Sequence, residues 1–198
     1  TESMRDYNLD KLRIVECELL DPVQCQAICE NVDAIIWCAS DFNGNTPRAF
    51  TSLPFLVRAV GNPDKGRVEI EGLRNVLGAL KTSKQQNRGS KANDPINVVL
   101  VSMAPDVYAN FETPFGEFNA IKRESEQLLK NEFPSLSHTV LQMGQYDDNF
   151  IEEGLPIFYD RQAKRPIITR RDAAKAAVDA LLNQDLENET VPVYTATR

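Results

Sequence analysis

Histidine is almost missing from this sequence: His138 stands alone among 198 residues. A zinc site therefore has little imidazole to draw on, and no second histidine exists for a separate Ser-His-Asp triad. Cysteine is sparse too. Cys17, Cys25, Cys29 and Cys38 all fall near the N-terminus, and none forms a Cys-x-x-Cys pair. That spacing disfavours a metal or disulfide framework and reads as buried or half-buried reduced thiols, hence a reducing compartment. No run approaches ~18 consecutive apolar residues, so no segment has the makings of a membrane span. Thr1-Glu2-Ser3-Met4-Arg5-Asp6 lacks the pattern of a signal peptide. Basic surplus is lacking as well: 22 Lys and Arg stand against 29 Asp and Glu, a net charge of −7. A nucleic-acid partner is not expected, because phosphate neutralisation needs a basic face.

The nine glycines, at 44, 61, 66, 72, 78, 89, 116, 144 and 154, give neither the G-x-G-x-x-G nor the G-x-x-G-x-x-G spacing of a phosphate loop. Gly61-Asn62-Pro63-Asp64-Lys65-Gly66 imitates half of a Walker A loop, but Arg67 and Val68 follow where Lys and Ser or Thr are needed.

What is present is an alternation of buried-strand and amphipathic-helix patterns, the mark of a parallel α/β sheet with helices on both faces. Composition, at 42% hydrophobic and 26% charged, suits one globular domain. Leu12 to Leu19 reads as a strand. Asp21 and Pro22 open a helix as an N-cap and first-position proline do, with Val23 to Asn31 carrying it. Asp33 to Ala39 is a nearly continuous apolar strand, and Ser40 to Lys65 a long irregular segment. A helix over Val68 to Lys84, a polar link over Gln85 to Asp94 and a strand over Ile96 to Val101 follow. After them come a helix from about Phe115 to Asn131, a strand Thr139 to Gln142, a helix Arg171 to Asn183 and a strand Val191 to Tyr194.

Three pieces of the sequence, in this order and spacing, resemble the short-chain dehydrogenase/reductase superfamily, in particular its atypical, NmrA-like branch. They are the strand-helix-strand unit Val15 to Ser40; the helix Val68-Glu69-Ile70-Glu71-Gly72-Leu73-Arg74-Asn75-Val76-Leu77; and the stretch from Val98-Val99-Leu100-Val101-Ser102 through Lys122 to Leu141-Gln142-Met143-Gly144-Gln145-Tyr146 and Arg171 to Ala177. The resemblance implies one Rossmann-like α/β domain over 1–198, with a core in 1–150 and substrate- or partner-side elements in 151–170 and 184–198. It makes Leu12 to Leu19 the third strand of a 3-2-1-4-5-6 sheet, so the N-terminal βαβ part with its glycine loop is expected to be absent or displaced. Without it the sheet would have a gap of roughly 10 Å, and the family's arrangement should not form unaided.

In active relatives a strand-end serine is joined by a Tyr and a Lys at i and i+4 on the next helix; the lysine binds the nicotinamide ribose and lowers the tyrosine's pKa. The resemblance carries the serine to Ser102 and the lysine to Lys122, but Phe118 stands in the tyrosine's place, and a phenyl ring moves no proton. Tyr108 precedes the helix and would need its loop to fold back. The implied cofactor is NADP or NAD, held weakly or not at all unless a glycine loop precedes this stretch. Its contacts would be Asp21 at the adenine, Ala39 and Ser40 flanking it, Lys122 at the ribose and Met143 beside the nicotinamide, where Gln142 and Met143 replace the usual Arg-Pro pair. Structural roles compete for three of these: Asp21 as a helix N-cap, Ser102 as a hydroxyl capping local backbone, and Lys122 as a solvated helix lysine. The expected function is a non-catalytic scaffold, assembly factor or accessory subunit of a multisubunit complex, with Asn43 to Lys65 as a possible binding surface. Protein partners, peripheral membrane contact only through them, and an organelle such as the plastid stroma go with that expectation. The alternatives are an NAD(P)H-dependent reductase and a cofactor-binding redox sensor.

Overall fold

The computed structural model describes residues 11–40, 66–86, 97–108, 116–149, 155–159 and 166–197. Asp21, extended at φ −95°, accepts hydrogen bonds from the amides of Val23 and Gln24 and starts helix α1, Pro22–Ile28. The chain turns out of it at Asn31, whose φ of +60° lies in the left-handed region that asparagine tolerates. Strand β1, Ile35–Trp37, follows. A π-helical turn, Val68–Gly72, runs into α2, Leu73–Gln86. Then come β2, Val98–Met103; the short α3, Pro105–Tyr108; α4, Gly116–Glu132; and β3, His138–Met143. After β4, Gln145–Tyr146, and β5, Pro166–Ile168, helix α5 spans Arg170–Leu182, and β6, Glu189–Val193, and β7, Ala196–Thr197, finish the fold.

The main sheet is parallel throughout, in the order β1-β2-β3-β6. Parallel strands need crossovers, and each crossover helix covers a face of the sheet, which is why the strands read as unbroken apolar runs. Val98 and Leu100 point into one core with Leu73, Leu77 and Leu80 of α2 and Leu129 of α4. Val99, Leu141 and Met143 point the other way, against Ala173, Ala176 and Ala177 of α5. Alanines on α5 let that helix lie close to the sheet. Pro192 in β6 is tolerated because β6 sits at the end of the sheet order, where a missing amide breaks no inner ladder.

At Gly144 the chain leaves the main sheet for a second, three-stranded one, β4-β5-β7. The Gly144 amide donates to the Val193 carbonyl at 2.8 Å. A Cβ there would lie 2.7 Å from the carbonyl carbon and oxygen of Pro166, so only glycine fits the crossing without a backbone shift. Among the described residues no helix is long and apolar enough to cross a membrane.

One expected element is corrected. Leu12 to Leu19 is not a strand: Leu12, Ile14 and Val15 are 59%, 90% and 52% exposed, and no ladder partner for them occurs among the described residues. A β-branched run becomes a strand only when another strand takes up its backbone groups. Only the end of this segment is anchored. Cys17 and Leu19 pack on the first core, and the Leu19 carbonyl accepts from the Asn75 side-chain amide at 3.1 Å. Among the described residues the main sheet begins at β1, the expected fourth strand, and Leu12 to Leu19 pairs with none of its strands. Strand β6, within 184–198, pairs with β3 in the main sheet. The irregular segment falls outside the described residues from 41 to 65, as do most of the polar link, from 87 to 94, and Ile96 at the start of the expected strand.

Candidate functional site

In a parallel sheet the ligand crevice lies beyond the carboxyl ends of the strands. Here those ends carry Cys38, Ala39 and Ser40 after β1, Ser102 and Met103 in β2, and Gln142 and Met143 in β3. Ser102 and Gln142 are register partners on adjacent strands. Helix α4 connects β2 to β3 and must run back along the sheet, so its N-terminal half sits at this same end. It brings Lys122, Ser125 and Glu126 inward; they are 8%, 2% and 7% exposed.

Glu126 is the centre of the polar cluster. The Ser102 hydroxyl donates to its Oε1 at 2.5 Å, and the Gln142 amide nitrogen lies 3.3 and 3.2 Å from its two oxygens. A second buried carboxylate repeats the arrangement one strand over. Glu69, fully buried in the π-helical turn, accepts from the Ser40 hydroxyl at 2.5 Å. The Ser125 hydroxyl, 2.9 Å from the Ile121 carbonyl and 3.2 Å from that of Glu69, links α4 to this turn. Buried carboxylates persist only where donors satisfy them, and serine hydroxyls and an amide do that here.

The rim of the cluster is softer in chemistry. Cys38 is exposed; desolvation raises its thiol pKa, and the nearby Lys122 ammonium pulls it part of the way back. Burial also raises the Tyr146 phenol, with Cys38 adding to the rise and the Arg170 guanidinium, 5.2 Å over the ring, opposing it. Arg170 is itself paired with Asp148.

The expected site residues divide. Ser40 and Ser102 stand at the ends of β1 and β2, each bonded to a buried glutamate; Lys122 lies on α4 one turn before Glu126, near enough to Cys38 to act on its charge, and half-buried Ala39 packs on the first core. Burial of Lys122 excludes the solvated-lysine role. Ser102 caps no local backbone, since its hydroxyl goes to Glu126. Asp21 is the N-cap: its Oδ1 takes the Val23 and Gln24 amides at 2.9 and 3.4 Å, and its Oδ2 takes the Gln24 side chain at 2.9 Å. The Gln24 side chain first, and the Val23 amide next, hold its pKa below the ordinary carboxylate value. Met143 is fully buried in the second core, so its side chain is not placed to line a ligand. Phe118 lies on α4 one turn before Lys122, with its side chain outside the described residues, as is that of Tyr108 at the end of α3.

Glu69 and Glu126 were not anticipated, although a signal existed. Glu69 falls on the buried stripe with Leu73, Val76 and Leu80, and Glu126 on that with Lys122, Leu129 and Phe133. Charged residues on an apolar stripe at helical spacing mark buried polar groups.

Comparison with protein-family models and with curated proteins finds no match. Solved structures do match. The oxidoreductase ylbE from Lactococcus lactis is similar with a TM-score of 0.66 at 13% identity, over 93% of this chain and 72% of that one. A short-chain dehydrogenase/reductase of the wide type from Veillonella parvula, in complex with NADP, gives a TM-score of 0.59 at 13% identity, over 96% and 74%. UDP-glucose 4-epimerase from Thermotoga maritima with UDP-glucose gives 0.56 at 13%, over 96% and 66%. The chain thus has a Rossmann-type α/β fold, the fold of these oxidoreductase and epimerase structures.

Proposed function

We propose that this protein is a non-catalytic member of that fold class, a scaffold, assembly factor or accessory subunit of a larger organellar complex, with a crevice that retains the ribose side of an NAD(P) site. The observation that carries the reading is the Ser102 hydroxyl. In a working reductase the strand-end serine and a phenol serve the substrate oxygen. Here the hydroxyl donates to buried Glu126, and Phe118 occupies the helical position of the phenol. Neither group is set to deliver a proton.

The residues fit one half of a dinucleotide. Small residues Ala39 and Ser40 at the end of β1 suit the close approach of a ligand, and buried Lys122 on α4 is the group this reading assigns to the ribose. No glycine spacing in the sequence makes a cradle for the pyrophosphate. NAD(P)H, when bound, supplies a hydride; these residues orient its ribose and no more.

The test is NADPH oxidation by the purified protein over a panel of aldehydes and ketones, with size-exclusion chromatography of the native assembly. No turnover, together with elution in a complex with other proteins, is the expected result. Turnover abolished by Lys122→Met would overturn it. A second reading, an NAD(P)H-dependent reductase, draws on the burial of Lys122 beside exposed Cys38, because a lysine without a functional role usually stays in water. Binding of NADPH without turnover in a free monomer would point instead to a cofactor-binding sensor.

A further inference from the structure

We propose that Glu126 is a positioning residue of the dinucleotide crevice: it fastens α4 to the ends of β2 and β3 and thereby sets where Lys122 holds its ammonium. The proposal rests on reading the crevice as an NAD(P) site. A lysine carries its charge on a flexible four-carbon stem, so its placement depends on how firmly its helical turn is held. The turn around Lys122 is held at three points. Ile121 packs against Gly66, where φ is +83° and a Cβ would come within 2.7 Å of the isoleucine side chain. Ser125 reaches the Glu69 carbonyl. Glu126 ties the turn to the strands, through Ser102 of β2 and Gln142 of β3.

Glu126 also lies four residues after Lys122, on the same helical face, and both are buried. A buried carboxylate with two neutral donors is a costly way to hold a helix, and an apolar residue would pack there at lower cost. The placement makes sense if fastening this turn to the strands serves to fix the lysine one turn earlier on the same helix. The Gln142 amide then complements it by spanning both oxygens and fixing the plane of the carboxylate.

The experiment is a fluorescence titration of the whole protein with NADPH, for the native sequence, Glu126→Leu, Glu126→Gln, Gln142→Leu, Lys122→Met and the Lys122→Met/Glu126→Leu double variant, each checked by circular dichroism. Losing hydrogen bonds to a charged group should weaken binding about tenfold in Glu126→Leu, and Glu126→Gln, which keeps an acceptor for Ser102, should stay within about threefold of the native protein. The double variant should bind no worse than Lys122→Met, because one residue acts through the other. Glu126→Gln falling as far as Glu126→Leu, or additive losses in the double variant, would overturn the proposal. If Glu126→Leu does not fold, Gln142→Leu decides: weakened binding supports the role and native binding refutes it. A native protein that binds no NADPH defeats the dinucleotide reading itself and the proposal with it.

Discussion

Glu69 and Glu126 hold the two serine hydroxyls at the ends of β1 and β2, and neither glutamate stands out in the amino-acid sequence, where acidic residues are usually solvent-facing. Their partners come from elements 29 and 24 residues away. Asp21 is the opposite case. Its partners lie within three residues, so the cap was legible from Asp-Pro alone. Asp21→Ala should lower the melting temperature at neutral pH, while Asp21→Asn, another good cap, should not. Because the folded-state pKa is depressed, the part of the advantage that depends on ionisation is complete above the ordinary value of 3.8 and is lost as pH falls through the lower folded value. Thermal melts between neutral and strongly acidic pH would show this. Gly144→Ala should cost about 1–3 kcal/mol by forcing Pro166 aside, read by urea unfolding. Burial first, with neighbouring Cys17 adding to it, pushes the Cys25 and Cys29 thiols up to about 11. Alkylation at mildly alkaline pH, followed by mass spectrometry, should label exposed Cys38 first and leave those two intact until the protein unfolds.

At the scale of elements, helix and strand periodicity located α1, α2, α4, α5 and the four strands of the main sheet to within a few residues. Most of those segments are long or carry a buried face; α1 is marked by its Asp-Pro start, and the three-residue β1 lies inside a longer apolar run. Leu12 to Leu19 carries the same β-branched signal and forms no strand, since pairing is a property of two segments. The start of α5 rests on local chemistry: Thr169 accepts from the Asp172 amide at 3.0 Å and donates to its carboxylate at 2.8 Å. Thr169→Ala should therefore cost about 1 kcal/mol, measured by chemical denaturation. The small second sheet was not anticipated, because strands of two or three residues are too short to show a period.

For the whole molecule, stability lies in the two cores on either side of the sheet. Leu100→Ala, at a site 1% exposed, should cost about 2–5 kcal/mol, whereas Ile14→Ser, at 90% exposure, should stay within about 0.5 kcal/mol of the native protein. Equilibrium unfolding of both variants checks the contrast. The sequence by itself determined the α/β class, the parallel character of the sheet and the absence of glycine-loop spacing, because each depends on residue identity or on spacing along one element. The tertiary structure decided that Lys122 is buried, that Ser102 serves Glu126, that Met143 belongs to a core and that Leu12 to Leu19 stays outside the sheet. Each of those outcomes depends on which distant groups become neighbours, and neighbours are set by how helices and strands pack.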